Sequence, residues 1–82
     1  MKDKEIVERL NRVFQEVFDD YGIKIYEGMT AADIEEWDSI MQITLVIAVE
    51  KEFNIRLNAS EVSQLSNIGE MIKLLKKYVS IS

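Results

Sequence analysis

The sequence predicts an all-α domain: a small four-helix bundle of three main helices and one short helix, with a long loop between the first and second helices. Three observations point there. Apolar residues recur at helical rather than alternating spacing. The chain holds no proline and only three glycines, so little in it breaks a helix. Its 82 residues suffice for one domain and no more, so residues 1–82 are expected to fold as a single unit with a thin core. Hydrophobic residues at 48% against 30% charged residues place the chain with globular rather than disordered proteins.

In the first segment, Ile6, Leu10, Val13, Phe14, Val17 and Phe18 trace one apolar face from about Lys4 to Asp19, and Gly22 offers a helix stop. From Tyr21 to Asp38 the periodicity weakens, leaving a long connection for so small a domain. Within it, Thr30 is placed to cap a short turn with Asp33 as the reciprocal partner. Glu27, Asp33, Glu35, Glu36 and Asp38 give its second half only acids and no base. They lack the spacing of a calcium loop, so a solvated acidic loop is expected and no metal site.

The third segment, Ser39 to Phe53, carries two apolar stripes. Leu45, Val46, Val49 and Phe53 share one side with Gln42, while Ile40, Ile43, Thr44, Ile47 and Lys51 share the other. A core this small accommodates one stripe, so the isoleucine stripe is expected to face a partner. After Asn54, Ser60-Glu61-Val62 suggests a short helical turn. Asn67 then caps a last helix with Glu70 at its third position. Its buried stripe is Ile68, Met71, Ile72, Leu75 and Val79, and Lys73, Lys76 and Lys77 complement the dipole near its end.

Net charge is −5 with a pI near 4.6, which excludes a basic stripe for phosphates and hence nucleic acid, and suits docking onto basic patches of protein partners. With no cysteine there is no disulfide or thiolate, and with no histidine the commonest general base is missing. No catalytic residue is therefore assigned, and an independent enzyme is not expected. The run from Ile43 to Val49 is too short to span a bilayer and Thr44 interrupts it. MKDKEIVERL has no apolar signal region, so a cytoplasmic protein without membrane insertion is expected.

Ser39 stands between the acidic loop and the most apolar run, in the stretch EEWDSIMQI. It lacks a base to make it a nucleophile. Two readings remain. It is an N-cap, although Asp38 beside it is an equally strong one and a helix needs only one. Or it is a site another enzyme modifies, since the first turn of a helix favours an attached phosphate.

Asp38-Ser39-Ile40, opening a helix that continues to Glu50-Lys51-Glu52-Phe53, resembles the motif of the acyl carrier protein family. SNIGEMIKLL from Ser66 is similar to the family's last helix, and the resemblance covers almost the whole chain. The resemblance implies a non-catalytic carrier. A phosphopantetheinyl transferase would attach 4′-phosphopantetheine covalently to Ser39, and its thiol would hold acyl groups as thioesters. Asp38 would help the transferase dock. Ile40, Met41, Ile43, Thr44, Ile47, Glu50 and Lys51 would meet acyl-loading and acyl-processing enzymes. Leu45, Val46, Val49 and Phe53 would wall a cargo pocket, and the carrier would be a monomer. Trp37 replaces a commonly small residue and Ile40 a leucine. Met41, Thr44 and Lys51 stand where carriers of fatty acid synthesis often show acids. A specialised polyketide, lipid or related pathway is therefore expected rather than housekeeping fatty acid synthesis. The alternatives are an aminoacyl or peptidyl carrier, and an unmodified helical module docking through Ile40, Ile43 and Ile47 with Ser39 as a cap.

Overall fold

The computed structural model describes residues 2–34 and 37–79, so Glu35 and Glu36 of the acidic loop lie outside the described residues. Helix α1 spans Asp3–Val17, a single 3-10 turn Ala31–Asp33, α2 Ser39–Phe53, α3 Ala59–Ser63 and α4 Ile68–Val79. The expected order and proportions of the helices, with the long α1–α2 loop, are those observed.

Helix α1 packs against both α2 and α4. Ile6, Leu10, Val13 and Phe14 bury its apolar face. Leu45, Val49 and Phe53 of α2 meet that face, as do Ile68, Met71, Leu75 and Val79 of α4. Each fully buried side chain of this kind contributes about 1.5–3 kcal/mol over its exposed state. Leu74 is buried in α4 where Ile72 was expected, and Ile72 is half-buried at the rim.

The first helix does not run to Gly22. It ends at Val17, and Asp19 turns the chain with a left-handed φ of 51°. Asp19 N–H donates to the Glu16 carbonyl and Asp20 N–H to that of Gln15, which closes the helix end without a glycine. Aspartate tolerates this backbone region better than most residues because its side chain is short and polar. Phe18, just past the end, still reaches the core.

The long connection is held by its neighbours rather than by structure of its own. Asn11 Oδ1 accepts from Ile25 N–H at 2.8 Å, and Gln15 Nε2 donates to the carbonyls of Tyr21 and Ile23. Thr30 and Asp33 form the expected reciprocal cap: Thr30 N–H donates to Asp33 Oδ2 at 2.9 Å and Ala32 N–H to Thr30 Oγ1 at 3.2 Å. Two loop carbonyls then serve the start of α4, Met29 accepting from Ile68 N–H at 2.9 Å and Glu27 from Gly69 N–H at 2.8 Å. These are first-turn donors that have no partner inside the helix. A side chain at Gly69 would press on the loop, since its Cβ would lie 3.1 Å from the Glu27 carbonyl oxygen.

Asn67 caps α4 as expected, accepting from Glu70 N–H at 2.9 Å. Glu70 reaches one residue further back than a standard capping box, to Ser66 N–H at 2.9 Å. That backbone hydrogen bond, with a smaller contribution from Lys73, holds the Glu70 carboxyl below its usual range. The folded state therefore binds this proton more weakly than the unfolded chain. The stabilisation is complete above the unfolded carboxylate range, near about pH 4.3, and is lost as pH falls through the lower folded value. Glu70→Gln is expected to remove that part of the acid dependence, which a series of denaturation midpoints against pH reads directly.

The helix ends are tied across the bundle. Arg9 on α1 donates through Nε to Glu52 Oε2 and through Nη2 to the Glu52 carbonyl, both at 2.6 Å, with its guanidinium 5.2 Å from the Phe53 ring centroid. Tyr78 OH donates to Glu61 Oε1 at 2.6 Å, joining α4 to α3. Among the described residues, no helix is long and apolar enough to cross a membrane.

Candidate functional site at the start of helix α2

The position of α2 is set by the residue before its cap. The Trp37 ring packs edge-on to Phe14, with centroids 5.4 Å apart and planes at 77°, and lies 6.0 Å from Phe18. Its Nε1 donates to Gln42 Oε1 on the first turn of α2. The end of the acidic loop is thus pinned to α1 by a large aromatic side chain.

Asp38 follows in an extended conformation and is the N-cap: its Oδ1 accepts from Met41 N–H and its carbonyl from Gln42 N–H, both at 2.9 Å. Of the two cap candidates in the sequence, the structure chooses Asp38. Ser39 is the first helical residue, and the reading of Ser39 as a cap falls away because the cap's bonds are already made. Its side chain is exposed, and among the described residues none bonds to its hydroxyl.

This end of α2 suits a phosphate ester. The N–H groups of Ser39 and Ile40 belong to the first turn and have no helical acceptor, and the positive end of the helix dipole lies here. Asp38 is the one charged side chain at the tip among the described residues, and its carboxylate is directed at Met41 N–H. A phosphopantetheine group, when bound, supplies a thiol at the end of a long arm, chemistry that no residue of this cysteine-free chain offers.

The two stripes of α2 separate as their spacing requires. Ile40, Ile43 and Ile47 are 73%, 63% and 47% exposed, a continuous apolar ridge along the outer side of the helix. Thr44 is exposed within it and returns its hydroxyl to the Ile40 carbonyl at 3.1 Å, while Lys51 is exposed one turn beyond Ile47. The other expected docking residues turn inward. Met41 is half-buried against the core. Glu50 is half-buried, with Oε2 accepting from Leu57 N–H at 2.8 Å, so it braces the segment after α2.

The four residues expected to wall a cargo pocket do not act together. Leu45, Val49 and Phe53 are consumed by packing against α1. Val46 alone of the four lines the open groove between α2 and α3, of about 380 Å³, together with Ile43, Ile47, Leu57 and Val62. The stripe assigned to the cargo was the core stripe, because a helix pattern gives which residues share a face and not what that face meets. Leu57 and Val62, which sequence reasoning passed over, are short apolar signals in a polar segment and gain meaning only from the path of the loop over α2.

Comparison with known proteins agrees with this geometry. The family model described as "Phosphopantetheine attachment site" matches residues 32–75, more than half of the chain and including all of α2. The acyl carrier proteins of two strains of Buchnera aphidicola subsp. Acyrthosiphon pisum, Tuc7 and APS, are each 27% identical over 74 residues, covering 90% of this chain and 92% of theirs. The solution structure of a holo acyl carrier protein from Geobacter metallireducens superimposes with a TM-score of 0.86 at 29% identity, covering 92% of this chain and 86% of that one. The chain belongs to the phosphopantetheine-bearing acyl carrier protein family. Members of this family carry acyl groups without catalysing their chemistry, and they work with a phosphopantetheinyl transferase and with acyl-processing enzymes.

Proposed function

We propose that the phosphopantetheine arm is attached to Ser39 and that the protein carries acyl intermediates in a specialised biosynthetic pathway. One observation carries the first half. Asp38 makes the capping bonds, which leaves the neighbouring hydroxyl exposed on the first turn of a long helix. In this reading the chain positions the arm's phosphate at unpaired N–H groups, while Asp38 caps the helix and presents a carboxylate to the transferase. The intact mass of protein made with a transferase tests it, through the addition and its loss in Ser39→Ala.

The second half rests on the outer face of α2. Ile40, Ile43, Thr44, Ile47 and Lys51 are the residues that meet partner enzymes, with Met41 and Glu50 reaching the contact only from its edges. Between Ile40 and Ile47 this face presents no acidic side chain. Enzymes that dock on carriers through acidic side chains along this helix would find none there. Expression of this protein is therefore expected not to restore growth to a bacterial strain that lacks its fatty-acid carrier. Full rescue at ordinary expression would return the protein to housekeeping synthesis.

A further inference from the structure

The outer face of α2 is not uniform along its length, and its far end carries two cations in a chain of net charge −5. We infer that the partner of this face presents an apolar ridge edged by carboxylates at the end that meets Lys51 and Arg56. The inference deepens the carrier reading given above and rests on it for the existence of a partner, but not for the partner's chemistry.

The apolar part comes first. Ile40, Ile43 and Ile47 stand exposed at successive turns, where three large aliphatic side chains in a row are left uncovered in a domain that buries the rest of its isoleucine and leucine stripes. Such a contiguous strip marks a contact surface. The ridge continues at the same four-residue step from Ile43 through Ile47 to Lys51. Lys51 and Arg56 are both exposed and border one shallow surface with Ile47, Ile55, Leu57 and the half-buried Glu50. No acid among the described residues pairs with either cation.

The nearby acids offset these two cations only in part. Glu50 borders the same surface with its Oε2 accepting from Leu57 N–H, and Glu52 is held by Arg9 across the bundle. The remaining charge on the strip is Asp38, at the opposite end beside Ser39. The face thus runs from negative at the serine through apolar to positive, within a chain of net charge −5. Along this face, an acidic surface is favoured at the end with Lys51 and Arg56 and repelled at the end with Asp38. That makes the cationic end a selector of partner and of orientation more than a source of affinity.

The test uses the full-length, unmodified protein, isotope-labelled for NMR, and two synthetic amphipathic helical peptides. Both carry the same leucine face; one has glutamates and the other lysines at the end that would lie over Lys51. The glutamate peptide is expected to shift the amides of α2 from Ile40 to Lys51 and that of Arg56. It should bind on the order of fivefold more tightly than the lysine peptide at low salt, with the difference shrinking as salt is added. In the double variant Lys51→Glu, Arg56→Glu the preference should reverse. Lys51 lies in the last turn of α2, where its charge complements the helix dipole, so the unfolding midpoint of the variant is measured alongside and binding is compared with both proteins fully folded. Equal or tighter binding of the lysine peptide to the parent protein would overturn the inference, as would shifts outside this face or none with either peptide. Attachment of the arm is read separately, by mass, on the same preparation, so a failure here leaves the Ser39 assignment standing and the reverse also holds.

Discussion

Ser39→Ala, produced together with a phosphopantetheinyl transferase, is expected to keep its unmodified mass while the parent protein gains one phosphopantetheine group, with no change in fold. The expected loss is complete because the other hydroxyls near the groove are poorly placed. Thr44 donates back to the Ile40 carbonyl, Ser60 bonds to Asn58, and Ser63 bonds to the Ser60 carbonyl. Among the described residues, only Ser39 combines an exposed hydroxyl with the first turn of a long helix. The neighbouring residue separates two explanations of a lowered yield. Asp38→Ala removes the bond to Met41 N–H and should cost roughly 0.5–2 kcal/mol of stability, as lost caps do. Asp38→Asn keeps a capping oxygen and removes the charge. If modification slows in Asp38→Asn while the unfolding midpoint holds, the carboxylate itself is read by the transferase. If both variants are modified at the parent rate, Asp38 is a cap and nothing more. An adduct that persists in Ser39→Ala would sink the assignment outright.

Phe53→Ala is expected to cost about 3–5 kcal/mol, against a total stability of roughly 5–15 kcal/mol for a small domain. Phe53 sits in the core between α2 and α1, and Arg9 covers its ring while binding Glu52 one residue earlier. Removing the ring opens a cavity and strips the guanidinium of the surface it lies on. Ile43→Ala, ten residues earlier on the same helix, removes a side chain of similar apolar size from the exposed ridge and should stay within about 0.5 kcal/mol of the parent. Denaturant unfolding of the two variants side by side tests the assignment of the stripes. A lower midpoint for Ile43→Ala than for Phe53→Ala would mean that the inner and outer faces of α2 have been exchanged.

The separation of those stripes was legible in the residues, because side chains at three- and four-residue spacing must share a side whatever surrounds them. The bundle order was legible for the same reason. Thr30 with Asp33 and Asn67 with Glu70 were readable as caps because capping is a contact between near neighbours. The end of α1 near Asp19 was legible to within two residues, but Gly22 is not the stop: the chain turns at Asp19, with Phe18 held in the core. The stripe of Leu45, Val49 and Phe53 was legible as the core side of α2, and α1 and Arg9 cover it.

What the sequence by itself determined is therefore local: helices, their faces, their caps, and a lone serine beside an aspartate at the head of the most apolar one. The tertiary structure decided the rest. It chose Asp38 over Ser39 as the cap, turned Glu50 inward to Leu57, and left Val46 with Leu57 and Val62 to form the open groove. The physical reason is distance along the chain. Trp37 fixes the entry into α2 by lying on Phe14 of α1 and on Phe18 just past its end, far back along the chain, and no periodicity within α2 carries that contact.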